Sequence, residues 1–151
     1  MTPPTSSLPA YLRPSLLGLV TLGGAAGTTL RSALESAFGA GAGEFPWATF
    51  AINVSGALIL GALLEALALV TADGGRRRAL QLTLGTGLLG GYTTYSTFIL
   101  EAVALGRGGD LPLAMAYAGA TVPGGFLAAR APLPLVPRAV AGGRRAWIRS
   151  C

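Results

Sequence analysis

Four long apolar stretches joined by short loops constrain the fold of this chain more than any other feature of its sequence. They cover residues 15–38, 46–70, 79–105 and 111–131. A bilayer core of about 30 Å takes about 20 helical residues per crossing, so each stretch is long enough to span a membrane. Because short loops make consecutive helices antiparallel neighbours, the sequence predicts an all-α membrane protein with four transmembrane helices.

Composition agrees with this prediction and excludes several classes of function. Only 11% of the 151 residues are charged, whereas a soluble domain carries about 25%. Residues 1–14 are predicted to form a flexible lead and residues 132–151 a basic tail around a transmembrane domain at 15–131. The arginines lie in loops and tails beside apolar spans, which indicates membrane orientation and no nucleic-acid binding.

Side-chain chemistry narrows the function further. The chain has no histidine, and its one cysteine is Cys151, so an internal disulfide, histidine catalysis and a His/Cys metal site are excluded. No nucleophile and base pair stands out, so we expect that the protein is not an enzyme.

The third stretch carries a polar run where lipid should surround it, namely Gly90-Gly91-Tyr92-Thr93-Thr94-Tyr95-Ser96-Thr97-Phe98. An unpaired backbone amide or carbonyl in hydrocarbon is so costly that a helix-weakening polar segment persists only where it lines a cavity or binds something. Single hydroxyls could bond back to carbonyls of their own helix, but four within five positions exceed what that explanation needs. The run therefore predicts the functional site.

Polar side chains in the first two spans add to this site. Arg31 and Glu35 are one helical turn apart and can pair, either as a structural ion pair or with Arg31 drawing anions to a vestibule. Asn53 needs partners for its amide, from another helix or from a permeating species.

Aromatic rings and hydroxyls recur at helical spacing in the last two spans. Tyr95 and Phe98 are three residues apart and are expected on one helix face, and Tyr117 and Thr121 are four apart. Aromatic edges are electropositive and hydroxyls donate hydrogen bonds, so such a track suits the passage of a small anion.

Three motifs carry a resemblance to a known family. The first span holds Gly23-Gly24-Ala25-Ala26-Gly27 followed by Arg31, the second holds Asn53 within Phe50 to Gly56, and the third holds Gly87 to Phe98 followed by Glu101. They resemble the GGxxGAxxR, VNxxG and GxxGGxTTFSTF motifs of the small microbial fluoride channels called Fluc or CrcB-type.

The resemblance implies a fluoride-specific channel subunit that exports cytoplasmic fluoride passively and so reduces its toxicity. It implies an antiparallel, inverted dimer with pores along the interface and a third helix broken at its centre. One structural sodium ion would be held there by backbone carbonyls, which here are those of Gly90 and Thr93.

The same resemblance assigns roles to further residues. The positions expected to line the pore are Asn53, Thr94, Tyr95, Ser96, Thr97, Phe98, Tyr117 and Thr121, and those expected at the vestibule are Arg31 and Glu101. Two of them depart from the family pattern. Tyr95 stands where phenylalanine is usual, which puts a hydroxyl beside the ion path, and Thr121 stands where serine is common.

The arginine distribution predicts the orientation and bears on the partner. On the side of the termini are Arg13, Arg76, Arg77, Arg78, Arg138, Arg144, Arg145 and Arg149, whereas the loops of the opposite side hold only Arg107. This bias predicts both termini in the cytoplasm of a cell inner or plasma membrane. An inverted homodimer needs the same chain to insert in both orientations, which a strong arginine bias disfavours. The second subunit is therefore either another copy of this chain or, as the bias favours, a homologue with the reversed arginine bias.

Two alternative functions remain open. A small four-helix, proton-coupled multidrug exporter would need an acidic residue near the middle of the membrane, and Glu35, Glu65 and Glu101 all lie near the ends of spans. A non-conducting partner subunit, impaired at Tyr95, is the other alternative.

Overall fold

The computed structural model describes residues 13–69 and 74–132, and this part of the chain is all-helical. Its elements are α1 (Pro14–Phe38), α2 (Trp47–Leu69), α3 (Gly74–Leu80), a π-helical segment (Gln81–Leu89), α4 (Gly90–Tyr92), α5 (Ser96–Arg107) and α6 (Leu111–Arg130). The predicted all-α class is confirmed. The third predicted span corresponds to α3 through α5, and it begins at residue 74 rather than 79.

The four predicted spans differ in how well they meet a criterion of length and hydropathy. In the described residues, α2 and α6 are long and apolar enough to cross a membrane, with mean hydropathy of 1.9 and 1.3. The polar residues near the end of α1 lower its hydropathy, and the third span is divided into shorter pieces. By this criterion alone, the structure supports two of the four crossings.

Contacts between the helices confirm that consecutive spans run antiparallel. Asn53 of α2 meets Thr94, and Thr49, one turn earlier in α2, meets Glu101 further along the third span. Tyr117 of α6 returns to the same Glu101. The helices therefore alternate in direction, so that the start of α1, the start of α3 and the end of α6 share one end of the bundle.

Glycines bring α1 against the first half of the third span with backbone facing backbone. We call the contact formed by Gly23, Gly27, Gly87 and Gly91 the glycine seam. A Cβ at Gly27 would overlap the Leu88 carbonyl oxygen, and one at Gly87 would lie 2.8 Å from the carbonyl oxygen of Val20. Such close approach is what small residues permit in membrane helix packing, where lipid gives helices no hydrophobic reason to associate.

Aromatic side chains fill the core at the other half of the third span. Phe98 and Tyr117 are buried with their ring centroids 5.2 Å apart, and Phe45 packs edge-on against Tyr117 at 5.3 Å. Edge-to-face rings at this separation attract each other beyond simple burial. The core thus joins α5, α6 and the loop before α2.

The predicted lead and tail lie almost wholly outside the described residues. Pro14 belongs to α1, where proline suits the first turn because its missing N–H has no partner there. α6 begins with an Asp110 side chain that accepts from the Leu113 amide at 3.2 Å, a standard N-cap. The preceding Gly109 has φ of 92°, a conformation that favours glycine.

Candidate functional site

The third span breaks between α4 and α5, at Thr93, Thr94 and Tyr95. Thr93 has an extended backbone with ψ of 155°, while its amide and its hydroxyl both donate to the Leu89 carbonyl at 2.9 Å. The break therefore follows the paired glycines by two residues. Gly91 is still in α4, and in the glycine seam it packs against the backbone of Gly24.

Asn53 holds the break from the side of α2. Its Nδ2 donates to the Thr94 carbonyl at 2.9 Å, and its Oδ1 accepts from the Thr94 amide at 2.9 Å. The side-chain amide therefore satisfies both backbone groups of one unwound residue. Of the two partners foreseen for Asn53, the structure shows the helix contact.

Arg31 holds the break from the side of α1. Its Nε donates to the Gly91 carbonyl at 3.2 Å, and its Nη1 lies 3.3 Å from the Glu35 carboxylate. The predicted pairing of Arg31 with Glu35 is confirmed. The Thr28 hydroxyl also approaches the Gly91 carbonyl, at 3.4 Å.

The carbonyls at the break divide into two groups. Those of Gly91 and Thr94 accept from Arg31 and Asn53. Within the part of the chain that the structure describes, no amide or side chain donates to the carbonyls of Gly90 and Thr93. Backbone carbonyls released by an unwound membrane helix are suitable ligands for Na⁺, so these residues fit a sodium ion chemically.

A single chain supplies too little for such an ion. Two carbonyls leave most of the coordination shell of Na⁺ open, and the described residues contain no cluster of acidic, histidine or cysteine side chains that could hold a metal. Gly90 is exposed, and a Cβ added there would meet nothing closer than the Gly85 carbonyl oxygen at 4.0 Å. The face with the free carbonyls is therefore exposed in the single chain.

Hydroxyls organise the start of α5. The Thr94 hydroxyl oxygen accepts from the Thr97 amide at 3.2 Å, and it lies 3.1 Å from the Thr97 hydroxyl and 3.3 Å from that of Ser96. Thr94 thereby caps one of the amides at the helix N-terminus, where the partial positive charge of the helix dipole is located.

A shallow groove runs along the break and has a volume of about 270 Å³. It is lined by Asn53, Thr93, Thr94, Tyr95, Phe98, Thr121 and Val122. The structure thus brings together five of the eight residues expected to line a pore. Ser96, Thr97 and Tyr117 lie outside this lining, and Thr121 donates its hydroxyl to the Tyr117 carbonyl of its own helix at 2.7 Å.

The prediction that Tyr95 and Phe98 share a helix face is wrong. Tyr95 lies in the break rather than in α5, so helical spacing does not relate the two residues. Their ring centroids are 6.1 Å apart, but Tyr95 is 76% exposed and Phe98 only 6%. One ring projects from the single chain, whereas the other belongs to the aromatic core.

Glu101 joins two hydroxyls in a group that we call the Glu101 cluster, made of Thr49, Glu101 and Tyr117. The Thr49 hydroxyl donates to Oε1 at 2.8 Å, and the Tyr117 hydroxyl donates to Oε2 at 2.7 Å. Thr49 and Tyr117 are completely buried. Such charge-assisted bonds are strong and fix the carboxylate in place.

The Glu101 cluster borders an open cavity of about 500 Å³ at the end of the bundle opposite the start of α1. The loops before α2 and α6 contribute Glu44 and Asp110 to its lining. Glu101 is therefore placed beside a vestibule-like space, whereas Arg31 is at the break and does not line this cavity.

Sequence reasoning missed two members of these networks. Thr49 was overlooked because a single threonine near the start of an apolar span carries no signal. Tyr92 was noted only as part of the polar run, yet its hydroxyl is 3.0 Å from that of Ser55. Ser55 lies two positions after Asn53, which was the available hint that this region of α2 faces the break.

Comparison with known proteins identifies relatives of the whole helical region. Residues 18–132 match the family described as CrcB-like protein, Camphor Resistance (CrcB). Over 117 residues the chain is 46% identical to the fluoride-specific ion channel FluC 1 of Cutibacterium acnes, covering 78% of this chain and 82% of that protein.

Two further relatives have similar coverage. The chain is 45% identical over 117 residues to the fluoride-specific ion channel FluC 2 of Leifsonia xyli subsp. xyli, covering 78% and 80% of the two chains. It is 42% identical over 113 residues to the fluoride-specific ion channel FluC of a Chelativorans species, covering 74% of this chain and 88% of the relative. The family match contains the break, Arg31, Asn53 and Glu101.

Proposed function

The chain belongs to the CrcB family, and from this premise we propose that it is one subunit of a fluoride channel in a cell membrane. The groove at the break carries the proposal, because it combines hydroxyl and amide side chains with an exposed aromatic ring. Similarity to proteins named as fluoride-specific channels supplies the identity of the ion. The same family match favours a channel over a small multidrug exporter and over an enzyme.

Fluoride would pass along this groove as a chain of hydrogen bonds and ring-edge contacts. A small anion leaves water only where donors replace its hydration shell. Thr94 supplies a hydroxyl in the groove, and Ser96 and Thr97 supply hydroxyls next to it, outside the groove lining, at the N-terminus of α5. The helix dipole adds a favourable potential for an anion there. The Tyr95 ring, with its electropositive edge, is free to contact the ion or a second subunit.

The pore would be completed by a second subunit packed upside down. The groove is open on one side, and both Tyr95 and Gly90 are exposed in the single chain. A break with unpaired carbonyls on the surface of a lone helical bundle would be costly in lipid, so covering that face stabilises it. Sodium would be held there by the Gly90 and Thr93 carbonyls of both subunits, and it would neutralise carbonyl dipoles at their interface.

The arginine bias supports a heteromeric pair with a homologue. Arg76, Arg77 and Arg78 are exposed in α3 at the end that α1 begins from, and Arg107 is at the opposite end. The tail arginines lie outside the described residues. A chain committed to one orientation, with its termini in the cytoplasm, would need an oppositely oriented homologue to complete the pair.

Fluoride efflux from liposomes tests the channel proposal. Liposomes loaded with fluoride and chloride are assayed with ion-specific electrodes, with protein-free liposomes as the control. We expect fluoride efflux without chloride efflux, either from this chain alone or after co-expression with a homologue of reversed arginine bias. Absence of fluoride efflux under both conditions would contradict the channel.

The same assay and a topology measurement separate the two kinds of dimer. Activity of the chain alone would rule out a required heteromer, whereas activity only with the homologue supports it. A reporter fused to the C-terminus should be found on the cytoplasmic face. Comparable amounts on both faces would overturn the heteromeric pair and favour an inverted homodimer.

A further inference from the structure

Arg31 contacts the break in the third span although it belongs to α1. Its Nε donates to the Gly91 carbonyl at 3.2 Å, and its side chain is 22% exposed. We propose that Arg31 is a positioning residue that removes the Gly91 carbonyl from those available to a cation and thereby determines the ion preference of the break. This inference rests on the sodium site of the proposed function.

The selection of carbonyls follows from their order along the chain. Gly90 and Gly91 lie in α4 directly before the break, and Thr93 begins the break. Of these three residues, only Gly91 has a carbonyl that accepts from α1, where Arg31 and the Thr28 hydroxyl are its donors. The Gly90 and Thr93 carbonyls are left without donors among the described residues. Loss of Arg31 would leave the Gly91 carbonyl with only the Thr28 hydroxyl at 3.4 Å, and would make it more available as an oxygen ligand.

The surroundings hold Arg31 in this position. Gly91 approaches the Gly24 backbone so closely that the two chain segments cannot separate without opening the glycine seam. Glu35 accepts from Nη1 through both of its oxygens, at 3.3 and 3.4 Å, and so orients the guanidinium. A planar guanidinium with several fixed donors can bond a carboxylate and a carbonyl at once, which the single ammonium of lysine does not reproduce.

The charge of Arg31 acts in the same direction as its hydrogen bond. The C-terminus of a helix carries partial negative charge, and Arg31 neutralises part of it at the end of α4. A cation bound at the neighbouring carbonyls would therefore experience a fixed positive charge nearby. Because that charge repels every cation, the site should bind only a cation whose size fits the carbonyl ligands closely.

Thermal unfolding of the purified full-length protein in different salts tests the proposal. Midpoints are measured in the chlorides of sodium, potassium and N-methylglucamine, because a bound ion raises the midpoint by mass action. We expect wild type to gain more from sodium than from potassium. Arg31→Ala and Arg31→Lys should lose at least half of that difference, and Glu35→Gln should lose a smaller part.

Thr29→Ala is the matched control on the same helix. The Thr29 hydroxyl is exposed and donates to the Ala25 carbonyl of α1 at 2.9 Å, so its loss should leave the sodium preference unchanged. Full sodium preference in Arg31→Ala would overturn the proposal. Restoration by Arg31→Lys would overturn it as well, because charge without the guanidinium geometry would then suffice.

Hydrogen exchange provides a measurement that does not depend on sodium. Amides of residues 89–97 should exchange faster in Arg31→Ala than in Thr29→Ala, in every salt. If the wild-type midpoint does not differ between sodium and potassium, the proposed sodium site fails. The contact of Arg31 with the break is then tested by amide hydrogen exchange alone. Unchanged exchange at the break would then contradict it.

Discussion

The two halves of the third span are held in opposite ways. Before the break, the glycine seam fixes the helix by backbone contact, and no side chain lies between α1 and the π-helical segment at these points. After the break, the Glu101 cluster and the aromatic core fix α5 by hydrogen bonds and rings. The first half therefore requires glycines without a Cβ atom at the contact. The second half requires hydrogen-bond donors and acceptors that remain paired.

This difference predicts which substitutions the two halves tolerate. Added volume should damage the first half severely, because backbone cannot move aside as a flexible side chain can. Loss of a polar group should damage the second half, because the half-buried Glu101 carboxylate would lose a hydroxyl donor that holds it in place. The break lies between them and depends on polar side chains from both neighbouring helices.

The largest effect is expected for Gly27→Ala in the glycine seam. The new Cβ would overlap the Leu88 carbonyl oxygen, and overpacking of this kind costs about 3 kcal/mol of stability. Gly18→Ala is the control on the same helix, since nothing lies within 4 Å of a Cβ there. That change should be neutral or should stabilise α1 by up to about 1 kcal/mol.

Thermal unfolding and yield of folded protein distinguish the two glycine variants. Equal stability of Gly27→Ala and Gly18→Ala would show that the seam has room for a methyl group. The two halves of the third span would then not differ in their tolerance of added volume.

A smaller loss is expected for Asn53→Ala at the break. The change removes both hydrogen bonds to Thr94, and unpaired groups of this kind cost about 2 kcal/mol. Fluoride efflux from liposomes should fall at least about tenfold, which corresponds to about 1.4 kcal/mol. Ser55→Ala, two positions away, should leave efflux near that of wild type, because Ser55 contacts Tyr92 and does not line the groove.

Tyr117→Phe should have a moderate effect in the second half. The ring and its packing remain, but Oε2 of Glu101 loses its donor at 2.7 Å, and a hydrogen bond to a charged group contributes about 1.5 kcal/mol. Thr49→Val removes the donor to Oε1 and should cost a similar amount. Urea unfolding of both single variants and of the double variant measures the coupling, and strictly additive losses would contradict a shared cluster.

The smallest change in stability is expected for Tyr95→Phe. The change keeps the ring and removes a hydroxyl that bonds to none of the described residues of its own chain, so we expect stability to change by less than about 0.5 kcal/mol. If this chain is a partner impaired by the Tyr95 hydroxyl, fluoride efflux should rise in the variant. Unchanged efflux would remove the reason for considering a non-conducting subunit, because that alternative rests on the Tyr95 hydroxyl.

Much of the fold was predictable because it depends on local pattern. Apolar length predicted four helical spans and their approximate ends. Prolines near the start of α1 and α6 and glycine after α5 mark helix boundaries. The π-helical segment was not predictable. The glycine seam contacts this segment at Gly87, but nothing in the residues 81–89 alone indicates π-helical geometry.

The site was predictable in its location but not in its connections. The hydroxyl run and the paired glycines marked the position of the site, because such polar, helix-weakening residues persist in lipid only where they line a cavity or bind something. The break itself was expected only from the family resemblance. The partners of Asn53, Arg31 and Glu101 are 41, 60 and 52 positions away along the chain. Spacing rules describe neighbours within one helix. They therefore predicted the pair of Arg31 and Glu35 but could not predict these contacts between helices.

The π-helical segment Gln81–Leu89 also bears on how chains of this kind should be aligned. A π turn closes on the fifth residue instead of the fourth, so it accommodates about one residue more than an α turn. Because nine residues make about two π turns, a chain about two residues shorter within this segment could cover the same length with α-helical turns. Length can therefore vary here without displacing the break, and an alignment gap placed within 81–89 keeps equivalent carbonyls in register.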